Sequence, residues 1–261
     1  MSSSVLPYAR EALERAGITG THRSHERRGT IQKIAKLRAG DPDATFGLSG
    51  VETYSEQEIL SFMADLTGCP ADISEVDCED WIDPDRTISG IVSAAERLRD
   101  FALRGATILV VTGHPTGMLE HHIRVVDHYT AAGGKVLRLR EDEPLPIGIR
   151  GRNREVRYTG GVGCLADWGQ LLHTHKADAM EALLEAEPWP DIVLGDHGFA
   201  GAAIERGIPT VAVMDINDHA LAVAQAQSRD VTIVPMDDNR LPHLYEPSWS
   251  LFGAVISGSF E

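Results

Sequence analysis

The sequence predicts an α/β fold: a Rossmann-like doubly wound parallel sheet with an N-terminal helical lobe. Three observations carry that expectation. Short Val- and Ile-rich runs alternate with helical patterns from Ala106 onward, residues before about Arg104 show helical spacing alone, and 43% of the 261 residues are apolar, enough to bury a core. Residues 1–104 are therefore expected to form the lobe and 105–261 the catalytic core, with an insertion at about 141–170.

Within the lobe, Tyr8–Ala16, Thr30–Ala39, Ser55–Thr67 and Thr87–Leu103 carry apolar residues three and four apart, separated by Gly or Pro. Asp83-Pro84 suits the turn into the last of these helices, because proline's fixed φ matches a first helical turn. Ala106–Val111 reads as the first strand, closed by Thr112-Gly113-His114-Pro115, and Met118–Ala132 as the helix that follows, stopped by Gly133-Gly134. Lys135–Arg140, Asp191–Leu194, Thr210–Met214 and Val231–Met236 supply four more strands. Helices over about 176–186, 198–206 and 218–227 lie between them, and such alternation predicts a parallel sheet. The insertion holds Pro144, Pro146 and an arginine-rich stretch, read as a protruding hairpin turning at Gly151–Asn153.

The net charge of −15 and pI near 5.1 repel phosphate backbones and anionic membrane surfaces, which argues against nucleic-acid and membrane partners. No segment has signal-peptide or membrane-span character, so a cytoplasmic protein is expected; a homo-oligomer is compatible with the sequence. Cys69, Cys78 and Cys164 form neither a CxxC pair nor an even disulfide framework and read as reduced packing residues.

Ligands of open α/β sheets bind beyond the carboxyl ends of the strands, so polar residues at those ends carry the functional argument. His114 follows the first strand, Asp196-His197 the third, Asp215 to His219 the fourth, and Asp237-Asp238-Asn239 the fifth. Carboxylates sharing a cleft repel one another unless a cation neutralises them, and hard oxygen donors select Mg2+ or Mn2+. Asp196, Asp215, Asn217 and Asp218 are the candidate ligands; helix capping is the competing role for each. Gly113, Thr116 and Gly117 sit where backbone amides at a helix start can cradle an anion, although the loop matches neither GxGxxG nor a Walker motif. His173 and His175 alternate and would face one side of an extended segment, as ligands or as acid and base. His121, His122 and His128 read as surface or packing residues of a helix. Thr21–Arg28 and the arginines at 150, 152, 154 and 157 are the two basic clusters that can clamp an anion, with a solvated face as the alternative.

TGHPTGML, WGQLLHTHKADAM, PDIVLGDHGFAG, MDINDHAL and PMDDN, in that order over about Ile82 to Pro247, resemble the motif series of an actinobacterial phosphatase family. The family's series reads TGHPGG-L, W-HTH, PDLVVADHGWAG, D-NDPAL and PLDDH, and Arg27 and the IDPD-T of Ile82 to Thr87 have fainter counterparts upstream. Thr116 stands where the family has glycine, Asn239 where it has histidine, and the arginine-rich insertion is longer.

The resemblance implies a phosphatase. The covalent routes to one are absent: no C-x5-R surrounds Cys164, and there is no DxDxT or Arg-His-Gly, which leaves a metal-activated water as nucleophile. The expected protein is a metal-dependent phosphomonoester hydrolase acting on a small phosphorylated metabolite. In it His114 and the Gly113–Gly117 amides hold the phosphoryl oxygens, His175 or His197 transfers the proton, and Asp196 serves both the metal and catalysis. Arg27 neutralises substrate charge, and Arg152 and Arg154 take a remote anion. A lyase or cyclase acting on a small carboxylic acid, and a non-catalytic metabolite-binding module, are the alternatives.

Overall fold

The computed structural model describes residues 5–147 and 154–259. The chain begins with α1 (Val5–Ala16), β1 (Gly20–Thr21), α2 (Arg27–Arg38), α3 (Pro42–Thr45), α4 (Glu56–Thr67), β2 (Trp81–Ile82) and α5 (Pro84–Leu103). Next come β3 (Thr107–Thr112), α6 (Pro115–Ala131), β4 (Lys135–Val136), β5 (Pro144–Leu145), β6 (Arg154–Thr159), β7 (Val162–Asp167) and β8 (Gln170–Leu171). The chain continues through α7 (Asp178–Leu183), β9 (Ile192–Gly195), α8 (His197–Glu205), β10 (Thr210–Met214), α9 (His219–Ala226), β11 (Val231–Pro235) and α10 (Glu246–Ile256).

The fold is α/β around a mostly parallel sheet in the order β11-β10-β9-β3-β7-β6-β5. From β11 to β7 the neighbours are parallel; β6 and β5 run antiparallel at one edge. Side chains of a strand alternate between faces, and both faces here are buried. Ile108 and Val110, with Val211 and Val213, pack under α1, α5, α6 and α10. Ala212 and Met214 face the layer of α2, α4 and α9, while Leu109, Val111 and Val193 face α7 and α8. The helices before Arg104 thus share the two faces of the sheet and do not enclose a core of their own.

Several starts and stops follow local chemistry. Ser55 and Glu58 form a capping box at α4, and the Asp83 side chain accepts the Asp85 amide with Pro84 opening α5. The expected strand over 135–140 stops at Val136. β4 pairs only with Thr107 and Ile108, because β7 occupies the same edge of β3 from Val110 to Thr112. The insertion is therefore partly a member of the parallel sheet. Its expected turn at 151–153 lies outside the described residues; β5 and β6, which flank that stretch, pair antiparallel, and a second hairpin joins β6 to β7. The closing helix α10 was not anticipated, although Pro247 at its start and Leu251, Phe252, Val255 and Ile256 on one face are a readable signal. Among the described residues, no helix is long and apolar enough to cross a membrane.

Candidate functional site

Parallel pairing brings the carboxyl ends of β3, β9, β10 and β11 to one edge, which collects His114, Asp196, His197, Asp215, Asp218, Asp237 and Asp238. Two further segments are drawn over that edge. β1 is pinned on both sides, where the Asp237 amide donates to Ile18 O at 2.9 Å before it and the Ser24 hydroxyl to Asp237 Oδ1 at 2.7 Å after it, which delivers His22 and His25. β7 runs past the end of β3, turns at Trp168-Gly169 and returns as β8; the Thr174 amide then donates to Gly113 O at 2.9 Å, which delivers His173 and His175.

Three groups of ligand-type atoms result, each within 4.8 Å of one another: His197, Asp218 and Asp238; His114, His173 and His197; and His22, Asp215 and Asp237. His197 belongs to two of them. Its Nε2 lies 3.1 Å from Asp238 Oδ2 and 3.5 Å from Asp218 Oδ2, and the His114 and His173 rings stack at 4.1 Å. His197 itself adopts φ of 43°, a conformation side chains disfavour, at the turn from β9 into α8. His114 Nδ1, His197 Nδ1, Asp215 Oδ2 and Asp238 Oδ2 are buried and make no hydrogen bond of good geometry among the described residues, although His25 Nε2 lies 3.1 Å from Asp215 Oδ2 and His197 Nε2 3.1 Å from Asp238 Oδ2. Imidazole and carboxylate ligand atoms converging in this way are compatible with a divalent cation.

His22 plays a different part from the others. Its Nδ1 accepts the Ser24 and His25 amides at 3.2 and 3.0 Å, so Nε2 carries the ring proton and donates to Asp215 Oδ1 at 2.6 Å. Burial lowers and the Asp215 carboxylate raises this ring's pKa, to about 9 on balance, yet two N–H groups aimed at Nδ1 leave no place for a second proton. We take the ring as neutral and Asp215 as the group it orients.

Electrostatics separate the remaining histidines. Burial opposes charge on His197, but Asp218 and Asp238 outweigh it and raise its pKa to about 9. Burial, reinforced by the charges of His197 and Lys33, lowers His175 to about 2; burial with His114 and His197 lowers His173 to about 4. Asp238 is held well below the usual carboxylate range: burial opposes its ionisation, and His197 and His114 overcome that cost.

Several expected residues have other work. Asp196 is fully buried, accepts the Gly113 amide at 2.6 Å and the Thr112 hydroxyl, and joins none of the three ligand groups. Three amides of the Gly113–Gly117 loop are already engaged. The Gly113 amide is held by Asp196, the His114 amide by Thr112 Oγ1 and the Gly117 amide by His114 O. Its glycines serve close approach instead: a Cβ on Gly113 would lie 2.2 Å from Thr174 O, and one on Gly117 2.4 Å from Asp238 O. Thr116 is exposed at the start of α6.

Arg27 is only 2% exposed, and its guanidinium binds Asp80 at 2.9 Å and the carbonyls of Pro70, Asp72 and Glu75. Four of its five N–H groups are engaged in these contacts, and Lys33 of the same helix is a cation that reaches the site. Asn217 accepts from Lys33 Nζ at 3.0 Å, and Asp218 Oδ1 lies 3.3 Å from the same ammonium. Arg154 pairs with Asp167 across β6 and β7 at 3.6 Å; Arg152 lies outside the described residues. His121 and His122 are fully buried, with touching rings and His121 Nε2 against Ser248 Oγ at 2.9 Å.

Sequence reasoning read Thr21–Arg28 for its arginines and passed over His22 and His25, although an H-x-x-H pair is a recognisable signal. Asp237 and Asp238 were legible by the same strand-end argument that selected Asp215.

Residues 7–252 match the sequence model of a family described as Phosphatase. The chain belongs to this phosphatase family. A Streptomyces coelicolor protein named Phosphatase SCO2771 is 33% identical over 228 residues, covering 85% of each chain. Membership supports phosphatase activity, and so the hydrolysis of a phosphorylated substrate, for the chain whose strand-end cluster is described above. A cleft of about 540 Å³ opens beside that cluster in this family member, lined by Lys33, Lys36, Asp43, His173, His175 and Asn217 among others.

Proposed function

We propose that the chain is a metal-dependent phosphomonoesterase acting on a small phosphorylated metabolite. The observation that supports this most directly is the convergence of ligand-type atoms of His114, His173, His197, Asp218 and Asp238 within 4.8 Å in overlapping groups at one end of the sheet. A Rossmann-like reading of the sheet agrees with it, since such sheets bind ligands at this edge.

His197, Asp218 and Asp238 would hold the ion, with His114, His173 and Asp215 completing its surroundings. Mn2+ suits these donors best, with Mg2+ the harder alternative. When bound, the cation neutralises the carboxylates and polarises the phosphoryl group as a Lewis acid.

The chain's own residues do the rest. His175 lines the cleft as a neutral imidazole that can hydrogen-bond the attacking water, while burial and the charges of His197 and Lys33, which lower its pKa to about 2, make it a poor base. Lys33, held by Asn217 and Asp218, supplies positive charge in the cleft wall. Asp196 acts indirectly, holding the Gly113 amide and Thr112 hydroxyl so that the His114 loop keeps its place. His22 orients Asp215.

The test is inorganic phosphate release from a panel of phosphorylated metabolites, after chelation and after adding back Mn2+ or Mg2+. Release that chelation abolishes and the ion restores is the expected result. Full turnover in protein shown by elemental analysis to hold no metal would reject the metal-dependent mechanism.

A further inference from the structure

The chain has four lysines, Lys33, Lys36, Lys135 and Lys176. Three of them line the cleft beside the histidine and aspartate cluster. The fourth, Lys135, sits at the opposite end of the sheet, paired with Thr107 where β3 begins. The three arrive from separate parts of the chain: Lys33 and Lys36 lie three residues apart on α2, which puts them on one helix face, and Lys176 follows the returning His173–His175 segment.

Their states differ in a telling way. Lys33 is engaged by Asn217 and Asp218, whereas the ammonium groups of Lys36 and Lys176 have neither an ion pair nor a hydrogen bond among the described residues. Asp43 is the one carboxylate lining the cleft with them. In a chain of net charge −15, three ammonium groups lining one cleft make a local positive field. Lysine also suits the end of a flexible ligand, being a compact charge on a mobile stem that imposes no planar two-point geometry.

We propose that this cleft binds a second anionic group of the substrate. The substrate class is then a small metabolite with a phosphoryl ester at one end and a phosphate or carboxylate at the other. The strand-end cluster takes the first, and Lys36 and Lys176, with Lys33 behind them, take the second. Only the assignment of which end reacts rests on the phosphomonoesterase reading above.

Non-hydrolysable ligands test the cleft without turnover. Calorimetric titration of Mn2+-loaded protein would compare alkylphosphonates with α,ω-alkylene bisphosphonates and ω-phosphonocarboxylates of graded length; the two bifunctional series tell a remote phosphate from a remote carboxylate. We expect at least one bifunctional length to bind about tenfold or more tighter than the alkylphosphonate of the same length. Lys36→Ala/Lys176→Ala should bring that ratio close to one, and circular dichroism would verify that the variant is folded. An advantage below about tenfold at every length overturns the proposal, as does an advantage that survives the double substitution. Equal losses for mono- and bifunctional ligands also overturn it, since the lysines would then serve the reacting phosphoryl group. Tighter bifunctional binding without phosphate release from any ester would instead reject the phosphomonoesterase reading and leave the cleft standing.

Discussion

His22 donates from Nε2 to Asp215 Oδ1 at 2.6 Å across 193 residues of sequence, and the Asp215 amide in turn donates to Asp218 Oδ2 at 3.0 Å. This pair ties the loop after β1 to the end of β10, so a residue from the beginning of the chain sets the orientation of a carboxylate at the sheet's carboxyl edge. With His25 Nε2 at 3.1 Å from Asp215 Oδ2, Asp215 is gripped from two sides.

Asp238→Asn and Asp215→Asn should each lower kcat by about 100-fold or more, because each removes a carboxylate from the group that holds the ion or borders it. Bound metal, measured by elemental analysis, should fall with activity for Asp238→Asn. Normal turnover with only a lowered Tm would assign both aspartates to structure alone.

Stability of the metal-free protein should depend on pH through His197. Its folded pKa of about 9 lies above the ordinary 6.5, so the stabilisation is fully present below pH 6.5 and is lost as pH rises through about 9. Thermal melts of chelated protein should therefore show Tm falling between those values. Metal affinity should rise over the same window, since the ion displaces the ring's extra proton. A Tm that climbs across this range in chelated protein contradicts the charge state assigned to His197.

Arg27→Ala should destabilise the fold by about 3–5 kcal/mol, because it strands the buried Asp80 carboxylate. Arg27→Lys retains a charge but not the fork that reaches three carbonyls, so it should fold with intermediate stability. Denaturant titration reads both variants. If Arg27 bound substrate instead, Arg27→Lys would raise KM at unchanged Tm.

Gly113→Ala places a methyl group 2.2 Å from Thr174 O and 3.2 Å from Asp196 Oδ1. The cost should be about 1–3 kcal/mol of overpacking, with a loss of kcat as the His173–His175 segment is pushed off His114. Kinetics and melting measured on the same preparation check this. Unchanged kcat would mean that the segment adjusts without moving its histidines.

Strand-end chemistry was readable because it is local. The Thr210–Met214 strand was marked by its own apolar run, and the residue after a strand must stand at its end wherever the strand goes in the sheet. Asp215, Asp218, Asp196, His114 and His197 therefore meet at one edge of the sheet, whereas the task of each depends on neighbours that are distant in sequence. Asp196 shows why: a carboxylate at a strand end can ligate an ion or accept neighbouring donors, and only the positions of Thr112 and Gly113 decide between them.

By itself the sequence determined the alternation of strand and helix, the acidic edge of the sheet and the match to a phosphatase family. Tertiary structure alone decided that His22 meets Asp215, that β7 claims the edge of β3 and so brings His173 back to His114, and that Arg27 is buried while Lys33, Lys36 and Lys176 share a cleft. The reason is physical. Periodicity and caps are set by neighbours within a few residues, whereas the partner of a loop histidine or of a strand edge is set by competition among distant segments for the same buried surface and the same hydrogen bonds.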